Sequence, residues 1–267
     1  NKQLYKCNSN CGRVYTNGKI SMAKGKKAVV GTAPWNVGIY QLNKDTSKYD
    51  LICGGSIIAP NLVVSAAHCF WYQDIILSNK ILINDDSFKV AVGKYDRNFT
   101  VVDNEFTRIM NVEIIYLNEH FSGAHGYFAN DIAVIVLSNR VAFSNVVAPI
   151  CIDWSGRYNI LNGVEGKIVG WGKTEMGTAS PFLLETSLPY LDQNSCRETF
   201  DTNGFDIFVT LDKFCAGSTL VSGQDLDEGD SGASLSFLHS KSYYLTGVLS
   251  LKEVSSNNSI ALFTDIK

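Results

Sequence analysis

The sequence predicts an all-β protein, and three observations carry that reading. Short runs of β-type residues dominate from residue 37 onward. Clusters of Gly, Asn, Asp and Ser separate them, which is the punctuation of a sandwich or barrel. No long stretch holds a helical period. In chain order the runs are VGIYQL, LICGGSII, SFKVAVG, DIAVIVL, GKIVGWG and YYLTGVLSL. One short helix is expected at NSCRETF, residues 194–200, after an Asn cap. Residues 1–27 differ from the rest, being polar, lysine-containing and poor in β-branched residues. They read as a tail or linker ahead of one β unit.

The 267 residues are enough to bury one large β core or two smaller ones. A hydrophobic content of 45% with 18% charged residues is that of a globular chain. The net charge of −3 gives no electrostatic support for a nucleic-acid or anionic-membrane partner. The apolar runs VVAPICI and IAVIVL have the length of buried strands and fall far short of a membrane span. The opening NKQLYKCNSNCG shows no charged head followed by an apolar stretch, so it reads as a mature protein or a fragment.

The seven cysteines are Cys7, Cys11, Cys53, Cys69, Cys151, Cys196 and Cys215. None forms a CxxC pair, and Cys7 and Cys11 have no partner cluster of His or Cys, which argues against zinc. Long irregular spacings point instead to disulfides and an oxidising, extracellular compartment. The sequons at Asn98 and Asn257 agree with secretion. No metal and no cofactor is implied.

Serine becomes a useful nucleophile at neutral pH only when a base takes its proton and a carboxylate holds that base in the right tautomer. NLVVSAAHC places His68 after a buried strand, beside a cysteine that can pin the loop. YFANDIAVIVL places Asp131 at the head of another strand, and EGDSG presents Ser231 on a glycine-rich turn. Each is ordinary alone, since an Asp before a strand is usually a turn residue. Together, in the order His68, Asp131, Ser231, they form a nucleophile, base and orienter.

With CGGSIIAPNLVVSAAHC, NDIAVIVL, VGWG and EGDSG in this order, the chain resembles the trypsin/chymotrypsin-like serine proteases over nearly all of residues 22–267. The resemblance implies two six-stranded antiparallel β-barrels with the active site between them. It implies His68 as general base, Asp131 as its orienter, Ser231 as nucleophile, and the Gly229 and Ser231 amides as the oxyanion hole. It implies the disulfides Cys53–Cys69 and Cys196–Cys215, and a tether from Cys151 to a preceding light-chain segment. Cys11 is the expected partner of Cys151, with Cys7 the alternative. PWNVGIY and the insertion at 69–86 are similar to insect modular serine proteases, which carry upstream recognition modules and start immune cascades. The chain thus divides into an activation segment, residues 1–21, following upstream modules, and a protease domain, residues 22–267. The implied partners are a downstream proenzyme as substrate and a serpin-type inhibitor.

Zymogens of this family are cut before an apolar residue whose new amino group pairs with the Asp preceding the serine, here Asp230. Counting back from Pro34-Trp35 puts that terminus at Met22, with Ile20 the alternative. The resemblance implies Asp225 at the base of the primary specificity pocket, where it would favour Lys or Arg; the alternative is one more acid of an acidic turn with Asp227 and Glu228. Several neighbours depart from the pattern. Asp227 replaces a pocket cysteine, and Leu251 and Lys252 replace the Trp-Gly pair after Ser250. Ala261 narrows a glycine position, and Ala233-Ser234 replaces Gly-Pro. A basic and an apolar preference both stay open. Lys94 stands where calcium-binding members carry an acid, so no calcium is expected at that loop. The aromatics of the insertion, Phe70, Trp71 and Tyr72, are expected to pack on the barrel as a cleft rim.

Overall fold

A computed structural model describes residues 10–15, 26–71, 80–82, 87–172, 178–200, 204–218, 229–252 and 260–267. Among these residues fifteen strands follow one another: β1 (Lys26–Lys27), β2 (Asn36–Asn43), β3 (Lys48–Ala59), β4 (Leu62–Ser65), β5 (Lys80–Leu82), β6 (Phe88–Val92), β7 (Arg108–Leu117) and β8 (Ala133–Leu137). After these come β9 (Cys151–Ile152), β10 (Glu165–Gly170), β11 (Leu184–Leu191), β12 (Lys213–Ala216), β13 (Ser234–His239), β14 (Ser242–Lys252) and β15 (Ala261–Asp265).

The strands form two sheets. The first runs β5-β7-β6-β2-β3-β4-β8, and β7 also pairs β8, so six antiparallel strands close into a barrel with β5 as an appendage. The second runs β1-β11-β10-β13-β14-β15-β12 and closes through β11 and β12. Among the described residues, closure leaves no long unpaired edge in either sheet. β8 shows why the first barrel forms. Ala133, Ile135 and Leu137 turn inward in alternation and join Val37, Ile39, Ile57, Val90 and Ile115 in one core. Ile168, Leu188, Phe214, Leu235, Leu249 and Phe263 fill the second.

A third cluster binds the barrels to each other. Trp35, Val64, Val169, Trp171, Tyr243 and Val248 meet there, with the Trp35 and Tyr243 rings 5.4 Å apart. The segment from residue 10 joins this seam. Cys11 is bonded to Cys151, the Gly12 N–H donates to Pro149 O at 2.8 Å, and the Tyr243 N–H donates to Gly12 O at 2.8 Å. Cys7 lies outside the described residues.

The α-helix among the described residues, α1, spans Gln193–Phe200 and starts earlier than the sequence suggests. Its cap is Asp192, whose Oδ1 accepts the Ser195 N–H at 2.9 Å, so the expected Asn cap is corrected to Asp. Cys196 and Phe200, one turn apart, form the buried face, and Cys196–Cys215 staples it to β12. Among the described residues no helix is long and apolar enough to cross a membrane.

Candidate active site

Two neighbouring strands of the first barrel deliver the first two groups. β4 pairs β8 with Ser65 opposite Ala133, so the chain leaving β4 and the chain entering β8 end at the same place. His68 sits in the 3-10 turn Ala67–Phe70, and Cys53–Cys69 ties that turn to β3. Asp131 stands two residues before the start of β8 and is completely buried.

Such a carboxylate is costly unless its oxygens are satisfied. Oδ1 accepts the His68 backbone N–H at 2.8 Å. Oδ2 accepts His68 Nδ1–H at 2.7 Å and the Ser250 hydroxyl at 2.5 Å. With Nδ1 donating to the carboxylate, the neutral imidazole keeps its lone pair on Nε2. Ser250, which the resemblance places at the specificity pocket, also serves Asp131. A β-bulge presents its hydroxyl: β14 pairs Leu249 with Phe263 and Leu251 with Leu262, leaving Ser250 as the extra residue. The Thr264 hydroxyl further fixes the Asp131 carbonyl at 3.0 Å.

The Ser231 turn is held from both barrels. Ser231 O accepts the Gly54 N–H of β3 at 2.8 Å, and the Gly232 N–H donates to Leu249 O of β14 at 2.9 Å. Gly229 and Gly232 have φ of +101° and +80°, backbone that L side chains rarely adopt. A Cβ on Gly232 would also collide with Ser65 Oγ, three residues before His68. The serine turn therefore packs directly against the histidine turn.

Asp230 points the other way, into the seam. Its Oδ1 accepts the Gly172 N–H at 2.7 Å, and a Cβ on Gly170 or Gly172 would overlap its carboxylate. The peptide that donates to Asp230 is gripped on its other side, because Trp171 O accepts Arg97 Nη1 at 2.7 Å. A cation and an anion thus polarise one peptide group from both ends. Met22 and Ile20, the two candidate activation termini, lie outside the described residues.

The loop before Asp131 is strained. Tyr127, Phe128 and Asn130 have φ of 52°, 55° and 58°. Left-handed backbone costs L residues about 1–2 kcal/mol each, least for Asn. Ring contacts around this loop link Phe128 to His68 (6.3 Å between centroids) and to Phe208 (6.4 Å).

Ala261 is fully buried where it pairs Lys252 at the rim of the second barrel, and Leu251 and Lys252 are half-buried. Asp225 and Asp227 lie outside the described residues. In the insertion, Phe70 is buried in the first core and Trp71 stands edge-on to Phe121 at 5.2 Å, whereas Tyr72 lies outside the described residues.

The loop after β6 encloses its own cation. The Lys94 side chain has no exposure, and its ammonium donates to Val101 O at 2.5 Å and Asp103 Oδ2 at 3.1 Å. The carboxylate's other oxygen accepts the Asp96 N–H at 2.7 Å. Oxygens that converge in this way could hold a metal, and here they hold an ammonium. Cys53, His68 and Cys69 also cluster, but the two sulfurs are bonded to each other and leave only an imidazole. Asn98 is exposed, and its side-chain oxygen accepts the Thr100 hydroxyl at 3.0 Å. Asn257 lies outside the described residues.

Sequence reasoning missed Thr264, Arg97, Asp212 and Lys213, whose contacts are made by residues remote in sequence. A lysine opening the apolar strand KFCA was the one visible hint.

The family model named Trypsin matches residues 22–267. Clotting factor C of Tachypleus tridentatus is 30% identical over 85% of this chain and 22% of its own length. CLIP domain-containing serine protease B4 of Anopheles gambiae is 28% identical, covering 90% of this chain and 64% of that protein. Modular serine protease of Drosophila melanogaster is 26% identical over 87% of this chain and 35% of its own length. The chain therefore spans less than two thirds of each of these relatives. A His–Asp pair sealed at the junction of two closed barrels and a family match across nearly the whole sequence agree: the chain belongs to the trypsin family of serine proteases.

Proposed function

We propose that this chain is a secreted serine endopeptidase that activates downstream proenzymes by limited proteolysis in a clotting or innate-immune cascade of the Toll or prophenoloxidase type. It is made as a zymogen, with residues 1–21 as the activation segment after upstream modules and 22–267 as the protease domain. The observation that carries this reading is the buried Asp131 carboxylate, whose oxygens take both the His68 backbone N–H and Nδ1–H.

In the proposed reaction Ser231 Oγ attacks the scissile carbonyl carbon as its proton passes to His68 Nε2. Asp131 stabilises the imidazolium, and the Gly229 and Ser231 amides hold the oxyanion. The proton then goes to the leaving amine, and water releases the acyl group by the same steps in reverse. Asp230 pairs with the amino group freed by cleavage before Met22 or Ile20, which orders the oxyanion hole. The cascade role draws support from the relatives named clotting factor and CLIP domain-containing serine protease. Glycosylation at Asn98 and Asn257 and capture by a serpin-type inhibitor belong to the same extracellular reading.

A second reading, a non-catalytic homologue acting as an adaptor, draws on Leu251, Lys252 and Asp227 at the specificity site. Peptide substrates differing only in the residue before the cut separate the two. Cleaved protein is expected to hydrolyse at least one of them well above a Ser231→Ala blank. Preference for Lys or Arg there assigns Asp225 to the pocket base, and preference for an apolar residue assigns the pocket to Leu251 and Lys252. Turnover no faster than the blank across the series favours the adaptor.

A further inference from the structure

Two charged side chains of the second barrel hold the loop that delivers Asp131, and the reaction described above uses neither. Lys213 opens β12, and its side chain is wholly buried. Its ammonium donates to Phe128 O at 2.8 Å and to Asp212 Oδ2 at 2.6 Å. The same carboxylate oxygen accepts the Asn130 N–H at 2.8 Å, while Oδ1 accepts the Thr210 hydroxyl at 2.6 Å. One ion pair thus grips the carbonyl before Ala129 and the amide after it.

The gripped segment is the strained one, left-handed at Tyr127, Phe128 and Asn130. Strain of this kind persists only where the surroundings over-determine the backbone. Asp131 follows directly, and the Phe128 ring meets His68 edge-on. A slip of this loop would move the carboxylate and the wall beside the imidazole together.

A space-filling role accounts poorly for these residues. An apolar side chain would fill the Lys213 site without desolvating an ammonium and a carboxylate, and buried ion pairs add little stability on their own. Burial pushes the Asp212 carboxyl up. Hydrogen bonds from Lys213 and Thr210, the lysine charge and the Asn130 amide outweigh it and leave the carboxyl below its ordinary value. Asp212 is therefore a carboxylate at neutral pH, and it and the Lys213 ammonium are both aimed at backbone groups of one loop.

We propose that Lys213 and Asp212 form an inter-barrel latch that positions Asp131 and the imidazole it orients, so that the second barrel sets the geometry of a pair carried by the first. The latch rests on the reading of His68 and Asp131 as catalytic. Lys213 and Asp212 themselves are positioning residues.

The test compares wild type with Lys213→Met and with Lys213→Met/Asp212→Asn, the double variant leaving no buried charge unpaired. After activation, kcat on a peptide ester is expected to fall roughly 10- to 100-fold with KM within about twofold, the cost of misplacing a catalytic group by a fraction of an ångström. The proton resonance of His68 Nδ1–H should shift or broaden as its bond to Asp131 loosens. If the single variant does not fold, the double variant carries the test. A folded double variant with wild-type kcat and an unchanged His68 resonance would overturn the latch. If even wild type hydrolyses nothing, the proposed catalysis fails, and the resonance alone still decides for or against the latch.

Discussion

Asp131→Asn is expected to lower kcat/KM by about four orders of magnitude, roughly 5.5 kcal/mol of transition-state stabilisation, with little change in KM. The reason lies in the donors that Asp131 meets. His68 offers its backbone N–H and Nδ1–H, and Ser250 offers its hydroxyl, all to one fully buried carboxylate. An asparagine can present a carbonyl to one side only, and its NH2 group faces donors on the other. The imidazole then takes the tautomer with Nδ1 accepting, and Nε2–H can no longer receive the Ser231 proton. Volume is conserved, so the barrels should survive. A thermal melt alongside the kinetics separates a lost tautomer from a lost fold. A variant retaining more than about a tenth of wild-type kcat/KM would contradict the assigned role.

Asp103→Ala is expected to destabilise the protein by about 3–5 kcal/mol, because among the described residues it strands the buried Lys94 ammonium with the Val101 carbonyl alone. At this chain length that corresponds to a fall in Tm of roughly 10 °C. The loss should reach the active site as well. The Asp103 carboxylate also holds the Asp96 N–H, and the next residue, Arg97, anchors the Trp171 carbonyl beside Asp230. Reduced kcat in the folded fraction is therefore predicted along with the lower Tm. Millimolar calcium should leave the wild-type Tm where it is, since an ammonium already occupies the space among the loop oxygens. Calcium-dependent stabilisation of wild type, or an Asp103→Ala variant as stable as wild type, would remove the internal-cation account.

The parts of the molecule legible in the sequence are those with few chemical solutions. Alternating apolar residues such as Ala133, Ile135 and Leu137 fix a strand and its inner face before any partner is known. His68 and Asp131 were visible because each stands at the end of such a strand. Contacts made by long side chains across the barrels were not visible. Lys213 reaches Phe128 across 85 residues of chain, and Arg97 reaches Trp171 across 74, and no local pattern announces either. Ser250 was legible as a residue near the pocket, but its hydrogen bond to Asp131 was not, because a bulge at that position decides which way its hydroxyl points. The helix cap shows the same limit at short range. Asp192 and Asn194 are both good caps by composition, and Asp192 is the one whose side chain accepts the Ser195 N–H.

Whether Ser231 is an activated nucleophile separates a protease from a protease-shaped binding protein. Diisopropyl fluorophosphate reacts with a serine hydroxyl only where a base and an oxyanion hole serve it, so labelling reads the whole constellation in one experiment. Protein cleaved before Met22 or Ile20 is expected to take up one phosphoryl group, located by mass spectrometry at Ser231. The uncleaved chain should label far more slowly, and Ser231→Ala not at all. A folded, correctly cleaved protein that never labels would contradict the account and leave the chain as a protease-shaped binding protein.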